Sequence, residues 1–176
     1  MMQRTKLSVI LLLLLLVNIP KHAVAQDVNY KAYTLFVYNF MKYIEWPEND
    51  SKADFTIGIL GNTPVEKELE NLAKLKKAKG RTIVVKKLET PEDAAGCQLV
   101  YVSASKSNTI KNVQDKIKGK PVLVVGEREG LAHKGAALSF VTLEDDVLKF
   151  DINKSVIEQH SLKISSSLVA LGLVIN

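Results

Sequence analysis

Phe55-Thr56-Ile57-Gly58-Ile59-Leu60-Gly61-Asn62-Thr63-Pro64 decides the fold class. The apolar half is rich in strand-forming residues and stops at a glycine-led turn, so it reads as a buried strand followed by a break. Thr63 is placed to cap a helix whose first position is Pro64, and Val65, Leu69, Leu72 and Leu75 then keep a helical period until Gly80. Strand, turn and helix in succession make a β-α unit.

The pattern recurs downstream. Residues 82–85 read as a strand, 98–103 as a strand, 107–118 as a helix and 121–126 as another strand. Strands alternating with helices argue for a mostly parallel sheet covered on both faces. Residues 90–96 are too few for a regular crossover helix, so a short helix or loop is expected there. Beyond Gly135 the period changes to alternation, at Leu138, Phe140 and Thr142 and again over 147–152, on either side of Glu144-Asp145-Asp146. That is an antiparallel hairpin. Asn153 or Ser155 can then cap a closing helix carried by Ile157, Ile164, Leu168 and Leu171. Upstream, Tyr33, Phe36, Val37, Phe40 and Ile44 recur at helical spacing, with Lys31, Thr34, Lys42 and Glu45 opposite, and Pro47 ends that helix at Trp46. The expected fold is therefore a three-layer α/β domain: a mostly parallel mixed sheet flanked by helices, with a C-terminal antiparallel hairpin and a closing helix.

The first residues differ in kind. Arg4 and Lys6 precede an apolar run over 7–17, and Ala23-Val24-Ala25 supplies small residues for cleavage. That is the layout of a secretory signal peptide, with an apolar run about half of the ~20 residues a membrane span needs. Residues 1–25 are thus expected to be removed, leaving 26–176 as a single periplasmic domain. No cysteine stands at position 26 to take a lipid. Loss of the leader lowers the formal charge from +5 to +2, because Arg4, Lys6 and Lys21 leave with it and no acid does.

What remains excludes several function classes. Lys74, Lys76, Lys77, Lys79 and Arg81 form the densest basic stretch, but no aromatic residue interleaves to stack on bases, so they read as a solvated helix end and no nucleic acid is expected. Cys97 is the single cysteine; no internal disulfide can form, and its place before an apolar run suits a buried thiol. A Gly-x-Ser-x-Gly elbow is absent, and after cleavage only His133, in a loop, and His160, in the last helical region, are left as bases. Ser103 or Ser105 would be the nucleophile of a hydrolase. No metal-ligand spacing occurs, and the three adjacent acids at 144–146 read as a solvated turn. No catalytic residue, cofactor or metal is expected.

Two sets of residues are candidates for binding. Loops 61–63, 103–107 and 126–130 follow parallel strands, where α/β folds place ligands, and Asn62, Ser105 and Arg128 would hold a small molecule there. The same loops also read as ordinary capping and turn chemistry. Alternatively Glu127, Arg128, Leu131 and His133 present charge around a leucine expected to be exposed, a composition suited to a protein partner.

Residues 38–47 followed by 55–61, then Gly80-Arg81, the strand from Cys97 to Ser105, Val122-Leu123-Val124-Val125 leading to Gly130, Leu138-Ser139-Phe140, Phe150-Asp151-Ile152-Asn153 and residues 162–168 resemble, in order, the YfiR-like family of exported bacterial proteins. The resemblance covers nearly the whole expected mature chain. It implies a periplasmic α/β regulator without catalysis, which binds the external sensor domain of an inner-membrane signalling protein, a diguanylate cyclase or a sensor kinase, and controls its output. In the best understood member this binding holds the cyclase inactive, lowering cyclic-di-GMP and biofilm, and an outer-membrane lipoprotein sequesters the regulator. A homodimer is compatible with that scheme. The better known members carry cysteine pairs, whereas this chain has Cys97 alone, so redox control does not carry over with the resemblance.

Overall fold

The computed structural model describes residues 29–47 and 54–175; the expected leader, its cleavage site and most of the polar loop at 49–54 lie outside them. Helix α1 (Tyr30–Tyr43) starts at Asn29, whose side chain accepts from the backbone N–H of Ala32. It ends three residues before Trp46, because Ile44–Glu45 is drawn out as strand β1. Trp46 then donates its indole N–H to the carbonyl of Gln98 at 3.2 Å and sets its ring edge-on to Phe55 at 5.0 Å. Thr34, assigned by spacing to the polar side of α1, is buried, its hydroxyl donating to the carbonyl of Tyr30.

Strand β2 (Asp54–Leu60) and helix α2 (Val65–Leu75) form the expected β-α unit. The helix stops at Leu75 because Lys76 is extended, and the chain turns through a short hairpin, β3 (Lys77–Ala78) against β4 (Arg81–Leu88). Leu75 therefore leaves the helical stripe and is 80% exposed, against the expectation that it would be core. Residues Pro91–Gly96 make a 3-10 helix with a capping box, Thr90 N–H donating to Asp93 at 3.0 Å. After β5 (Leu99–Val102), a 3-10 stretch (Ala104–Thr109) runs into α3 (Ile110–Lys116) and then β6 (Leu123–Gly126). The hairpin is β7 (Leu138–Thr142) with β8 (Leu148–Asn153).

The closing helix is not continuous. It is replaced by α4 (Lys154–Gln159), β9 (Lys163–Ile164), α5 (Ser166–Val169) and β10 (Leu173–Ile175). Serine explains the break: the hydroxyl of Ser165 accepts from Leu168 N–H and starts a new helix, while β9 pairs antiparallel with β1.

The main sheet has the order β10-β8-β7-β6-β5-β2-β4-β3. From β4 through β2, β5 and β6 to β7 all neighbours are parallel, β8 runs antiparallel to β7, and β10 is parallel to β8. Alternate side chains along each strand enter two cores. Leu99, Tyr101, Leu123 and Val125 join α1 and α2 on one face; Val100, Val102, Val122 and Val124 join α3 and Ala94 on the other. The first core holds an aromatic cluster in which Phe40 meets Phe150 at 4.9 Å and Tyr33 meets Phe140 at 4.4 Å. Cys97 lies buried in the second core, 4% exposed, its Sγ 3.9 Å from the Asp93 carbonyl.

Candidate interaction surface and strand-end loops

The loops at the carboxyl ends of β2, β5 and β6 converge on Glu127. Its carboxylate accepts from the backbone N–H of Ala104 at 2.6 Å, from the hydroxyl of Thr63, and from the phenol of Tyr101 at 3.2 Å. The N–H that opens the 3-10 stretch, where an outside anion would sit, thus already serves an anion of the chain. Tyr101 is fully buried. Burial, and then the neighbouring Glu127 charge, pushes its phenol well above the ordinary tyrosine range, and Tyr33 is raised by the same two causes in the same order.

The loops also pack on one another. Gly61 has φ +92°, and a Cβ there would meet the hydroxyl oxygen of Ser103 at 2.2 Å and Lys106 Cγ at 2.6 Å, so only glycine admits this approach. Ser103 and Ser105 share a hydrogen bond of 2.8 Å, and Ser107 and Thr109 donate to the carbonyls of Ala104 and Lys106. Asn62 and Ser105 are exposed beside this arrangement. Arg128 instead lines a basin of about 280 Å³ with Ser107, Asn108, Lys111, Glu129 and Lys134, which Asn62 and Ser105 do not line. The three residues expected to share a ligand are therefore split between two places.

The expected partner segment is also divided. Arg128 and His133 are exposed and Glu127 is turned inward, but Leu131 is 1% exposed, which corrects the reading of it as a surface anchor. The cause is local: Leu131 packs where a Cβ on Gly126 would come within 2.7 Å of it, in the core under α3. Its loop is fixed from below. Ser139 accepts from Ala132 N–H and donates to Asp151, and Asn153 donates to the Ala132 carbonyl. Ser139, Asp151 and Asn153 are thus the polar staples of this loop. His160 is buried, Nδ1 donating to the Lys120 carbonyl at 2.9 Å with Nε2 2.6 Å from Gln114. That makes it a packing residue linking α4 to the far end of α3.

Sequence reasoning missed two features. Glu127 as a hub could not be read from a charged loop. Leu35 and Leu75, 61% and 80% exposed, flank a groove of about 330 Å³ between α1 and α2, edged by Lys31, Lys76 and Glu68. Among the described residues, no helix is long and apolar enough to cross a membrane, and no group of three His, Cys, Asp or Glu is placed to hold a metal.

An open, mostly parallel sheet with helices on both faces defines the class as a layered α/β protein. The sequence pattern of the YfiR/HmsC-like family matches residues 30–172, and the chain belongs to that family. No curated protein matches it. Among solved structures, the ABC domain in complex with L-Trp from Streptococcus pneumoniae is similar with TM-score 0.51 and 14% identity, over 78% of this chain and 59% of that one. A conserved domain protein from Vibrio cholerae O1 biovar El Tor is similar with TM-score 0.50 and 14% identity, over 84% of this chain and 60% of the other. The chain spans about three fifths of the length of each, and at that identity the likeness concerns the fold.

Proposed function

We propose that the protein is a non-catalytic periplasmic regulator that docks on the external sensor domain of an inner-membrane diguanylate cyclase or sensor kinase and sets its output. The observation that carries this reading is family membership over residues 30–172, a family of exported regulators. The closure of the strand-end loops around Glu127 supports it, since those loops are hydrogen-bonded to one another and leave Arg128 and His133 exposed. A regulator of this kind needs no chemistry, only preference for one receptor state. Binding the inactive state 100-fold more tightly shifts the receptor equilibrium by ~2.7 kcal/mol. An outer-membrane lipoprotein that binds the same regulator would reverse the shift by competition. Capture of a membrane cyclase or kinase from the host envelope, and its loss with Arg128→Glu, is the test.

A second reading is favoured by the basin beside Arg128. Lys111, Arg128 and Lys134 outnumber Glu129 around it, so a small molecule bearing a carboxylate or phosphate fits its charge. Its occupancy would tune partner binding. Thermal stabilisation by amino acids or nucleotides, abolished in Arg128→Glu, is the expected result; L-tryptophan belongs in that screen because the Streptococcus pneumoniae structure of similar fold holds it.

A further inference from the structure

Charge is segregated along this chain. Seven of its 24 lysines and arginines fall between Lys74 and Leu88, and no acid stands among them. Spacing alone assigned the first of these to a solvated helix end. The structure places them differently: α2 stops at Leu75, and the residues from Lys76 to Lys87 form the β3–β4 hairpin and the strand that leads out of it. Lys76, Lys77, Lys79, Lys86 and Lys87 are exposed.

Most of β4 is also an open edge. Strand β2 pairs with it over residues 82–88, but β3 covers its other side only at Arg81 and Thr82. Among the described residues no third strand joins β4, and no backbone hydrogen bond from a turn or loop reaches residues 83–88. Alternate residues of an edge strand turn both N–H and C=O outward, so about half of these six present a donor and an acceptor beside the sheet. Ile83 and Val85 face the first core and Leu88 enters the second. Lys86 and Lys87 therefore stand at one edge on opposite faces.

We propose that residues 83–88 are a docking edge for an extended acidic segment of another protein, which adds an antiparallel strand to the sheet beside β4. Backbone pairing supplies the adhesion, and the lysines choose the partner. A second copy is a poor occupant, because lysine would be set near lysine, and edge lysines are a usual guard against such pairing. A strand with two adjacent acids turns that guard into attraction. One acid meets Lys86 and the next meets Lys87 on the other face, with β-branched residues against Val84 and Val85. An anionic lipid surface fits the charge but not the row of outward backbone groups. The inference stands apart from the regulatory reading, since it needs no membrane receptor.

The probe is a peptide of sequence Thr-Glu-Glu-Val-Val-Thr carrying a neutral fluorophore, whose order sets Glu-Glu against Lys87 and Lys86 and Val-Val against Val85 and Val84 in an antiparallel pair. Fluorescence anisotropy measures its binding to the purified protein. Beside it are run the same peptide with Lys-Lys in place of Glu-Glu, the same peptide with both valine amides N-methylated, and the doubly substituted protein Lys86→Glu/Lys87→Glu. N-methylation keeps the charge and removes the backbone donors, so it separates strand pairing from ionic adsorption. The proposal expects saturable binding of the acidic peptide, at least ~10-fold weaker after each of the three changes, and slowed amide exchange at residues 83–88 on binding. Melting curves establish that the variant is folded; if it is not, the two peptide controls on the unaltered protein decide. No binding of the acidic peptide at ~1 mM, or equal binding of its N-methylated form, overturns the proposal. So does sedimentation of the protein with phosphatidylglycerol vesicles when the peptide is ignored.

Discussion

Glu127 is the residue on which three strand-end loops depend. Glu127→Ala leaves the buried phenol of Tyr101 and the Ala104 N–H without their acceptor, and should cost about 2 kcal/mol, the usual loss when a polar group is stranded. Chemical denaturation measures this, and Glu127→Gln, which keeps one accepting oxygen, should lose less. The tyrosines give a pH signature. Tyr101 and Tyr33 are held neutral in the native state, so their folded ionisation lies above the unfolded value near 10. The stability they contribute is intact below that pH, and it falls as the pH rises further, when the unfolded chain ionises first. Tyr101→Phe should flatten this alkaline loss, read from melting temperature between neutral pH and the onset of alkaline unfolding. Much at this scale was hidden in the sequence. Leu131 in a charged loop looks exposed, and only its seat against Gly126 shows otherwise; Cys97, by contrast, was legible as a core thiol from the apolar run that follows it.

Elements were legible wherever one periodicity ran uninterrupted. The strands at 55–60, 99–102 and 123–126 and the hairpin around residues 144–146 appear as expected, because alternating or continuous apolar runs leave few other ways to bury them. Helix ends were less legible, since capping and strand pairing compete with helical spacing within a turn. Thus Ile44 pairs with Ile164 instead of extending α1, and Ser165 divides the closing helix. The α2 helix offers a paired test of burial against periodicity. Leu69→Ala, at a fully buried position, should cost ~3 kcal/mol, whereas Leu75→Lys, at the same spacing but exposed, should stay within about 0.5 kcal/mol of the unaltered protein. Equal losses in urea unfolding would show that Leu75 is packed after all.

At the scale of the whole molecule, the sheet gives one α/β layer system with a closed strand-end surface and a polar basin at Arg128. Fold class and family were readable from sequence because both depend on the succession of many short runs. The surface was not, because the side-chain convergence that makes it depends on which loops the sheet order brings side by side. Asn62 and Ser105 follow β2 and β5, which are neighbours, while Arg128, on the loop after β6, lines the basin beside α3. The central claim, regulation by docking on a membrane receptor, is tested most directly by capture. Tagged protein is incubated with solubilised envelope proteins of its own host, and Arg128→Glu and Leu75→Glu, both verified as folded, are run beside it. The account predicts recovery of a membrane protein with a cytoplasmic cyclase or kinase domain, and loss of that capture in Arg128→Glu. Recovery of no such receptor by the folded, unaltered protein would contradict it.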